Sequence, residues 1–192
     1  MVDRIPEAVE RHILPSPPSL LPETTVTTNV AGSWGCGAWH VDKWFQLQRD
    51  RQAETLSIAA KQLISTILAC AAWGYRWQGR QVLCQCDNQV VVACLRSRTS
   101  KDKCIMHLFR CLVFVEATHK CFLHPTYINT KANHLADDLS RDNLSSFLSK
   151  VPNPDPQPTP IFQPLLDLLL EPNADWISLR RSRQFSDIFR TG

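Results

Sequence analysis

Proline confines the packed part of this chain to a central region. Of the thirteen prolines, five lie at or before Pro22 and seven at or after Pro152, which leaves Pro125 alone between them. Proline removes a backbone donor and fixes φ, so long helices and inner strands avoid it. We therefore expect one folded domain over residues 24–150. Its predicted flanks are a proline-containing extension, a proline-rich linker and an amphipathic tail: 1–23, 151–164 and 165–192.

Within this region the hydrophobic pattern alternates between strand and helix periods. The apolar run "QVLCQCD" at 81–87 predicts a strand buried on both faces, which we expect to be central. The predicted elements in order are two or three hairpin strands beginning in "VTTNVAGSWGCGAWH", a helix over 60–75, the strand at 81–87, helices over 88–98 and about 102–120, a strand in "FLHPTYI" and a short helix in "NHLADDLSR". This alternation predicts an α/β layered domain.

Composition excludes several classes of protein. A hydrophobic content of 44% with a net charge of +3 is not that of a disordered polyelectrolyte. The apolar stretches are shorter than the ~18 residues of a membrane span, so we expect no membrane partner. The eight cysteines include no CxxC pair, and the N-terminus has no signal-peptide pattern. We expect reduced thiols in an intracellular, reducing compartment, with nucleus and cytoplasm both open.

Basic residues are concentrated in the middle of the domain. Between positions 76 and 110 there are seven Lys or Arg and two Asp, a local charge of +5. Such a segment can bind a polyanion, and an ordinary solvated surface is the alternative. The candidates for nucleic-acid contact are Arg76, Arg80, Arg96, Arg98, Lys101 and Lys103.

Two positions are candidates for acidic site residues. Asp87 follows the predicted central strand, at the edge where open α/β sheets place their ligand sites. Its alternative role is the N-cap of the next helix. Asp137 and Asp138 can likewise be ordinary first-turn acids, favoured there by the helix dipole.

Four separated motifs give the chain a family resemblance. "TNVAGSWGCGAW", "SIAAKQL", "WGYRWQGRQVLCQCDNQVVV" and "YINTKANHLADDLSR" occur in this order within 24–150. Together they resemble the ribonuclease H domain of retrotransposon polyproteins, and they are most similar to that of DIRS-type elements, which carry a tyrosine recombinase. The tail after the prolines is similar to the segment that leads into that recombinase. The resemblance implies a ribonuclease H-like fold with a mixed five-stranded sheet, three hairpin strands first, flanked by helices.

The resemblance also implies a site. In the family, four acids hold two Mg²⁺ ions, or Mn²⁺, over the RNA strand of an RNA–DNA hybrid, because hard dications need anionic oxygen ligands. The third acid matches Asp87 and the fourth matches Asp137, whereas Asn29 and Gln62 stand at the first and second positions. Both replacements keep the shape of the side chain and remove its charge. We expect metal binding to be weak or absent.

Other residues offer little compensation for the missing acids. Asp42 lies in a hairpin and Glu54 lies two turns before Gln62, so neither matches a lost position. His134 could approach a phosphate or assist product release, or it is simply the polar start of a helix. The segment "INTK" departs from the proline-glycine turn that is usual in the family.

Three functions follow from these observations. The first is a catalytically silent module that binds an RNA–DNA hybrid or another nucleic acid, and the missing charges favour it. The second is an active Mg²⁺-dependent ribonuclease. The third is a protein-interaction scaffold that uses the region around Trp176. The oligomeric state, and whether the chain stands alone or is part of a longer polyprotein, stay open.

Overall fold

The computed structural model describes residues 24–32, 35–48 and 52–170. The predicted extension over 1–23 and most of the predicted tail, including Trp176, lie outside the described residues. The strands are β1 (Thr24–Ala31), β2 (Gly35–His40), β3 (Lys43–Gln48), β4 (Gln81–Cys86) and β5 (Phe122–Tyr127). The helices are α1 (Ile58–Trp73), α2 (Gln89–Ser97), α3 (Lys103–His119), α4 (His134–Ser140), α5 (Leu144–Lys150) and α6 (Gln163–Leu170). Short 3-10 helices span Gln52–Thr55 and Gly74–Trp77. Within the described part of the chain, no helix has the length and apolar character needed to cross a membrane.

The strands form a single mixed sheet in the order β3-β2-β1-β4-β5. β1 pairs antiparallel with β2, and β2 pairs antiparallel with β3, as in consecutive hairpins. β4 is parallel to both β1 and β5, so its connections to them must cross over the sheet through helices. This sheet confirms the predicted α/β fold, with five strands of mixed direction and the hairpin strands first.

Helices cover both faces of the sheet. The larger core joins apolar side chains of α1, α2, α3 and α6 to one face, and Trp73 and Trp77 are among its largest buried members. A smaller cluster on the other face joins Trp44 to Leu139 and Phe147, from α4 and α5. Because an apolar cluster lies on each face of the sheet, the hairpin strands carry apolar side chains on both of their faces.

The most deeply buried strand is β1 rather than β4. In β4 the side chains of Val82, Cys84 and Cys86 are buried, whereas Leu83 and Gln85 are partly exposed. In β1 every residue from Val26 to Ala31 is buried. The reason is that α1 packs on one face of β1 while α4 packs on the other face, across β1 and β2. The sequence predicted β4 as the strand buried on both faces, and this prediction was wrong.

Two glycines allow α4 to approach the sheet. A Cβ at Gly35 would collide with the carbonyl oxygen of Ser140, and a Cβ at Gly37 would collide with Leu139 Cβ and lie 2.9 Å from Ser140 N. Both glycines are inside β2. Their missing side chains therefore set the distance between α4 and β1, and so the position of the acid at the start of α4.

The proline-rich segment runs along the exposed edge of β3. Asp155 N donates to Asp42 O (2.9 Å), Thr159 N donates to Trp44 O (2.7 Å), and Trp44 Nε1 donates to Asp155 O (2.8 Å). Lys43 forms an ion pair with the Asp155 carboxylate. Beyond it, the buried leucines of α6 join the larger core: Leu165, Leu166, Leu168, Leu169 and Leu170. The segment and α6 thus pack against the region predicted as the domain, whose boundary near residue 150 stays a prediction.

Candidate functional site

The four positions matched to the ribonuclease H acids line one cleft. Asn29 comes from β1, Gln62 from α1, Asp87 from the residue after β4 and Asp137 from α4, and the cleft has a volume of about 350 Å³. β1 and β4 are parallel, so their carboxyl ends meet at one edge of the sheet, where α/β folds place ligands. The remaining lining residues are Val30, Ile58, Asn88, Gln89, Val90, Thr130 and Arg141.

Asn29 acts in this cleft as a double hydrogen-bond donor. The side chain is 4% exposed, and its Nδ2 donates to Asp137 Oδ1 (2.9 Å) and to Ser140 Oγ (3.2 Å). Ser140 Oγ gives its single hydrogen to the Asp137 carbonyl oxygen (2.9 Å), so it can only accept from Asn29. The network therefore fixes the amide with its nitrogen, not its oxygen, toward Asp137.

Asp137 receives a second, charged donor from its own helix. Arg141 lies four residues later, one helical turn away, and its Nε donates to Oδ1 (2.8 Å) and Oδ2 (2.9 Å) of the carboxylate. With the bond from Asn29, both oxygens of Asp137 are engaged by N–H donors. The negative charge of Asp137 is thus balanced within the protein.

Gln62 belongs to a closed ring of buried hydrogen bonds. Its side chain is 2% exposed, and Nε2 donates to Thr28 Oγ1 (2.9 Å). Thr28 Oγ1 lies 3.5 Å from Thr66 Oγ1, which donates back to the Gln62 carbonyl oxygen (3.1 Å). The amide nitrogen supplies a hydrogen to this ring, which a carboxylate at position 62 lacks.

Asp87 is the acid of the cleft without a protein partner. Its carboxylate has no hydrogen bond or ion pair with a described residue, and the N-cap of α2 is Asn88, whose side chain accepts from Val91 N (3.2 Å). The alternative role of Asp87 as the helix N-cap is therefore wrong. Burial raises the pKa of the neighbouring Cys86 to about 12, so a neutral thiol lies beside Asp87 at neutral pH.

These side chains do not fit a site for two divalent cations. Within the described residues, no group of three or more His, Cys, Asp or Glu side chains is arranged to hold a metal ion. Asp137 already accepts from Asn29 and Arg141, and Asn29 directs its N–H groups at that acid. A hard dication needs several oxygen ligands, and Asp87 alone offers an unpaired carboxylate here.

Two further candidate residues in α4, His134 and Asp138, do not line the cleft. His134 is exposed at the first residue of the helix. Asp138 accepts from Ser146 Oγ (3.0 Å) and from Lys150 Nζ (2.7 Å), so it fastens α5 to α4. Of the two adjacent aspartates, Asp137 is therefore the one that faces the cleft.

Some of the predicted nucleic-acid contacts have structural partners. Arg98 forms two hydrogen bonds with the buried Glu116 (2.7 and 2.9 Å), and its guanidinium lies 5.1 Å from the centre of the Phe122 ring. Arg96 Nε donates to Pro125 O (3.4 Å). Arg98 is thus part of the packing between α2, α3 and β5.

The other basic candidates are exposed but dispersed. Arg76 and Arg80 precede β4, whereas Asp87 follows it, so the length of the six-residue strand, roughly 20 Å, separates them from the cleft. Arg76 forms an exposed ion pair with Asp42 (3.2 Å). Lys101 and Lys103 lie at the start of α3. The structure does not bring these residues to the cleft, and their role in binding stays a prediction.

Sequence reasoning missed the residue that most changes the chemistry of the cleft. Arg141 is the last residue of the motif "YINTKANHLADDLSR", and its spacing of four from Asp137 on a predicted helix indicates an ion pair. The partners of Asn29 and Gln62, Ser140 and Thr28, depend on contacts between distant segments and had no comparable indication in the sequence.

Comparisons with known proteins find similarity at the level of three-dimensional structure. No protein-family model matches the chain, and no curated protein matches it. Among solved structures, it is similar to the RNase H1 of the halophilic archaeon Halobacterium salinarum NRC-1. The two chains share 16% identity with a TM-score of 0.45, and the match covers 64% of this chain and 98% of that one.

Proposed function

We propose that this chain contains a ribonuclease H-like module of retroelement origin, related to DIRS-type elements, that binds RNA–DNA hybrids and does not cleave them. One observation carries the loss of cleavage: amides stand at two of the four acidic positions, and both amides donate hydrogen bonds to neighbouring side chains. The order and spacing of the four motifs support the retroelement origin.

The charge of the cleft supports a silent site. Two-metal hydrolysis uses one cation to lower the pKa of the attacking water and the other to stabilise the leaving oxygen. Replacing two of four carboxylates by Asn29 and Gln62 costs several kcal/mol of cation affinity, because each lost charge is close to the ions. Arg141 adds a positive charge next to Asp137, which lowers the affinity for cations further.

The second candidate is an active Mg²⁺-dependent ribonuclease. It is favoured by the two remaining aspartates, since Asp87 and Asp137 line the same cleft. The two candidates differ in one measurable property, which is turnover of a hybrid in the presence of a divalent cation.

A cleavage assay separates these candidates. An end-labelled RNA–DNA hybrid is incubated with Mg²⁺ or Mn²⁺ and with four proteins: the unmodified chain, the unmodified chain with Asp87→Asn, the double variant Asn29→Asp/Gln62→Glu, and that double variant with Asp87→Asn. We expect cleavage by the double variant alone. If the unmodified chain cuts as fast as the double variant, and Asp87→Asn in the unmodified chain abolishes cutting, the protein is an active ribonuclease.

Salt dependence separates the binding module from a protein-interaction scaffold. A protein that contacts phosphates releases counterions, so its affinity for a hybrid falls steeply as salt concentration rises. We expect such a decline for the unmodified chain. A scaffold that does not bind nucleic acid gives no hybrid binding at any salt concentration.

A further inference from the structure

The cleft contains its own cation. Arg141 Nε donates to both oxygens of Asp137, at 2.8 and 2.9 Å, and the amide of Asn29, on β1, donates a third hydrogen bond to the same carboxylate. Because Gly37 lets α4 lie directly on the sheet, the ion pair is attached to a helix that packs closely against β2. The guanidinium is therefore held at its Nε edge.

The other edge of the guanidinium is open. Nη1 and Nη2 of Arg141 have no hydrogen-bond partner among the described residues, the side chain is 58% exposed, and it lines the cleft. A guanidinium held at Nε presents its remaining N–H groups as a planar fork, which matches two oxygens of a phosphate. The ion pair with Asp137 already orders the Arg141 side chain, so phosphate binding loses little further side-chain entropy.

We propose that Arg141 is the phosphate-binding residue of this cleft, and that it contacts a phosphodiester of the nucleic acid without a divalent cation. This inference rests on the proposed function, since it assumes that the chain binds an RNA–DNA hybrid. In this proposal the Arg141 side chain supplies the positive charge that divalent cations supply in a two-metal site.

The other lining residues suit a nucleotide bound to Arg141. Asn88, Gln89 and Thr130 are uncharged and polar, and Ile58 and Val90 place exposed apolar surface, at 47% and 62% exposure, on the same cleft. Aliphatic side chains beside the cationic group can pack against a sugar or a base face while Arg141 binds the phosphate.

Asp87 carries the opposite charge to Arg141. Its substitution therefore changes nucleic-acid binding in opposite directions, depending on whether Arg141 or a metal ion holds the phosphate. Its unpaired carboxylate repels a phosphate that is bound by Arg141, so Asp87→Asn strengthens binding by the route through Arg141. If a metal ion bridges the protein and the phosphate, the same substitution removes a metal ligand and weakens binding.

The test measures fluorescence anisotropy of a labelled RNA–DNA hybrid with the full chain, in EDTA and in Mg²⁺. We expect the Kd of the unmodified chain to agree within about twofold between the two conditions, and Arg141→Ala to raise it about tenfold or more in EDTA. Arg110→Ala, which removes an exposed charge from α3, is the matched control and changes Kd by about twofold at most. Arg141→Lys keeps the charge without the fork, so it binds more weakly than the unmodified chain.

Three results overturn the inference while hybrid binding stands. They are equal binding by Arg141→Ala and Arg110→Ala, binding that is lost in EDTA and restored by Mg²⁺, and weaker binding by Asp87→Asn. Thermal unfolding of each variant confirms that the compared proteins are folded. If the unmodified chain does not bind the hybrid at all, the proposed function itself fails.

Discussion

Asn29 Nδ2 lies 2.9 Å from Asp137 Oδ1, and this hydrogen bond joins the middle strand of the sheet to α4. Restoring an acid by Asn29→Asp replaces the donor with a second carboxylate at hydrogen-bond distance in a buried position. We expect the free energy of unfolding in EDTA to fall by about 2 kcal/mol or more, because a buried bond is lost and two anions repel. Urea denaturation of both proteins measures this difference.

Added Mg²⁺ gives the Asn29→Asp prediction its control. A cation that binds between the two carboxylates stabilises the folded state by mass action, so the variant recovers stability as Mg²⁺ increases. Asn29→Ala also loses the hydrogen bonds but gains no charge, so its stability does not respond to Mg²⁺. Equal stability of Asn29→Asp and the unmodified chain in EDTA would contradict the hydrogen-bond network described for the cleft.

Arg98 is expected to contribute to stability rather than only to binding. Arg98→Ala leaves the Glu116 carboxylate, which is 4% exposed and also accepts from Leu123 N (2.8 Å), without its cation. Removing one partner of a buried ion pair costs about 3 kcal/mol. Chemical denaturation checks this value, with Arg110→Ala as an exposed control expected near zero. A loss below about 0.5 kcal/mol in Arg98→Ala would show that Glu116 finds another partner or a proton.

The strands, the helices from α1 to α4 and the positions of Asp87 and Asp137 could be predicted because they depend on local patterns. Asp87 follows an apolar strand, and Asp137 lies in a short helical motif, so their positions follow from neighbours in the sequence. The burial of β1 could not be predicted in this way, because it depends on α4, which is more than 100 residues later in the chain. The hydrophobic run of β4 is the stronger pattern, although that strand is covered less completely.

The same limit applies to individual polar residues. Arg98 is a basic surface residue by sequence, and only the fold brings it to Glu116, near the C-terminal end of α3. The proline-rich segment has the pattern of a free linker, and its hydrogen bonds to β3 come from a distant part of the chain. Which residue a polar side chain contacts depends on segments that are distant in the sequence. Local sequence patterns therefore predict secondary structure better than they predict these contacts.

His40 makes the fold sensitive to acid. It is buried between two partners: Nδ1 lies 2.9 Å from Thr25 O, and Trp77 Nε1 donates to Nε2 (2.9 Å). Burial lowers the pKa of His40 below its ordinary value of 6.5, and burial also lowers those of His107 and His119. The unfolded state therefore binds protons first, so stability is complete above pH 6.5 and declines as pH falls below it. The loss approaches about 1.4 kcal/mol per pH unit for each of these histidines.

The variant His40→Gln isolates the contribution of His40. Glutamine can accept from Trp77 and donate to Thr25, and it does not titrate. Denaturation series between pH 5 and pH 8, followed by tryptophan fluorescence, give the slopes of stability against pH. We expect a shallower slope for His40→Gln than for the unmodified chain. The same slope in both proteins would show that the folded state accommodates a protonated His40.

Gly37 controls the approach of α4 to the sheet. Gly37→Ala places a Cβ against Leu139 and 2.9 Å from Ser140 N, so the helix or the strand must move. Overpacking of this kind costs about 1 to 3 kcal/mol. Gly32→Ala is the matched control, because a Cβ at Gly32 meets nothing within 4 Å. Thermal unfolding of the two variants should therefore separate them clearly, and equal melting temperatures would contradict the close packing of α4.

The segment after residue 150 is expected to be necessary for a stable fold. Ending the chain at residue 150 removes the five buried leucines of α6 and leaves the outer edge of β3 without hydrogen-bond partners. Each buried leucine contributes about 1.5 to 3 kcal/mol, and the sum is comparable to the whole stability of a typical domain. We expect this fragment to aggregate or unfold at 25 °C, since an uncovered edge strand also pairs with other chains. Circular dichroism and size-exclusion chromatography report both outcomes.

Two further fragments separate the contributions of the proline-rich segment and α6. A chain ending at residue 162 keeps the bonds of Asp155 and Thr159 to the edge of β3 but lacks α6, so it should stay monomeric with a lower melting temperature. A chain ending at residue 170 keeps both and should therefore melt at a higher temperature than the chain ending at residue 162. If the fragment ending at residue 150 is monomeric and melts at the same temperature as the chain ending at residue 170, the predicted boundary of the domain is correct. In that case the contacts of the proline-rich segment and α6 add nothing measurable to the stability of the sheet.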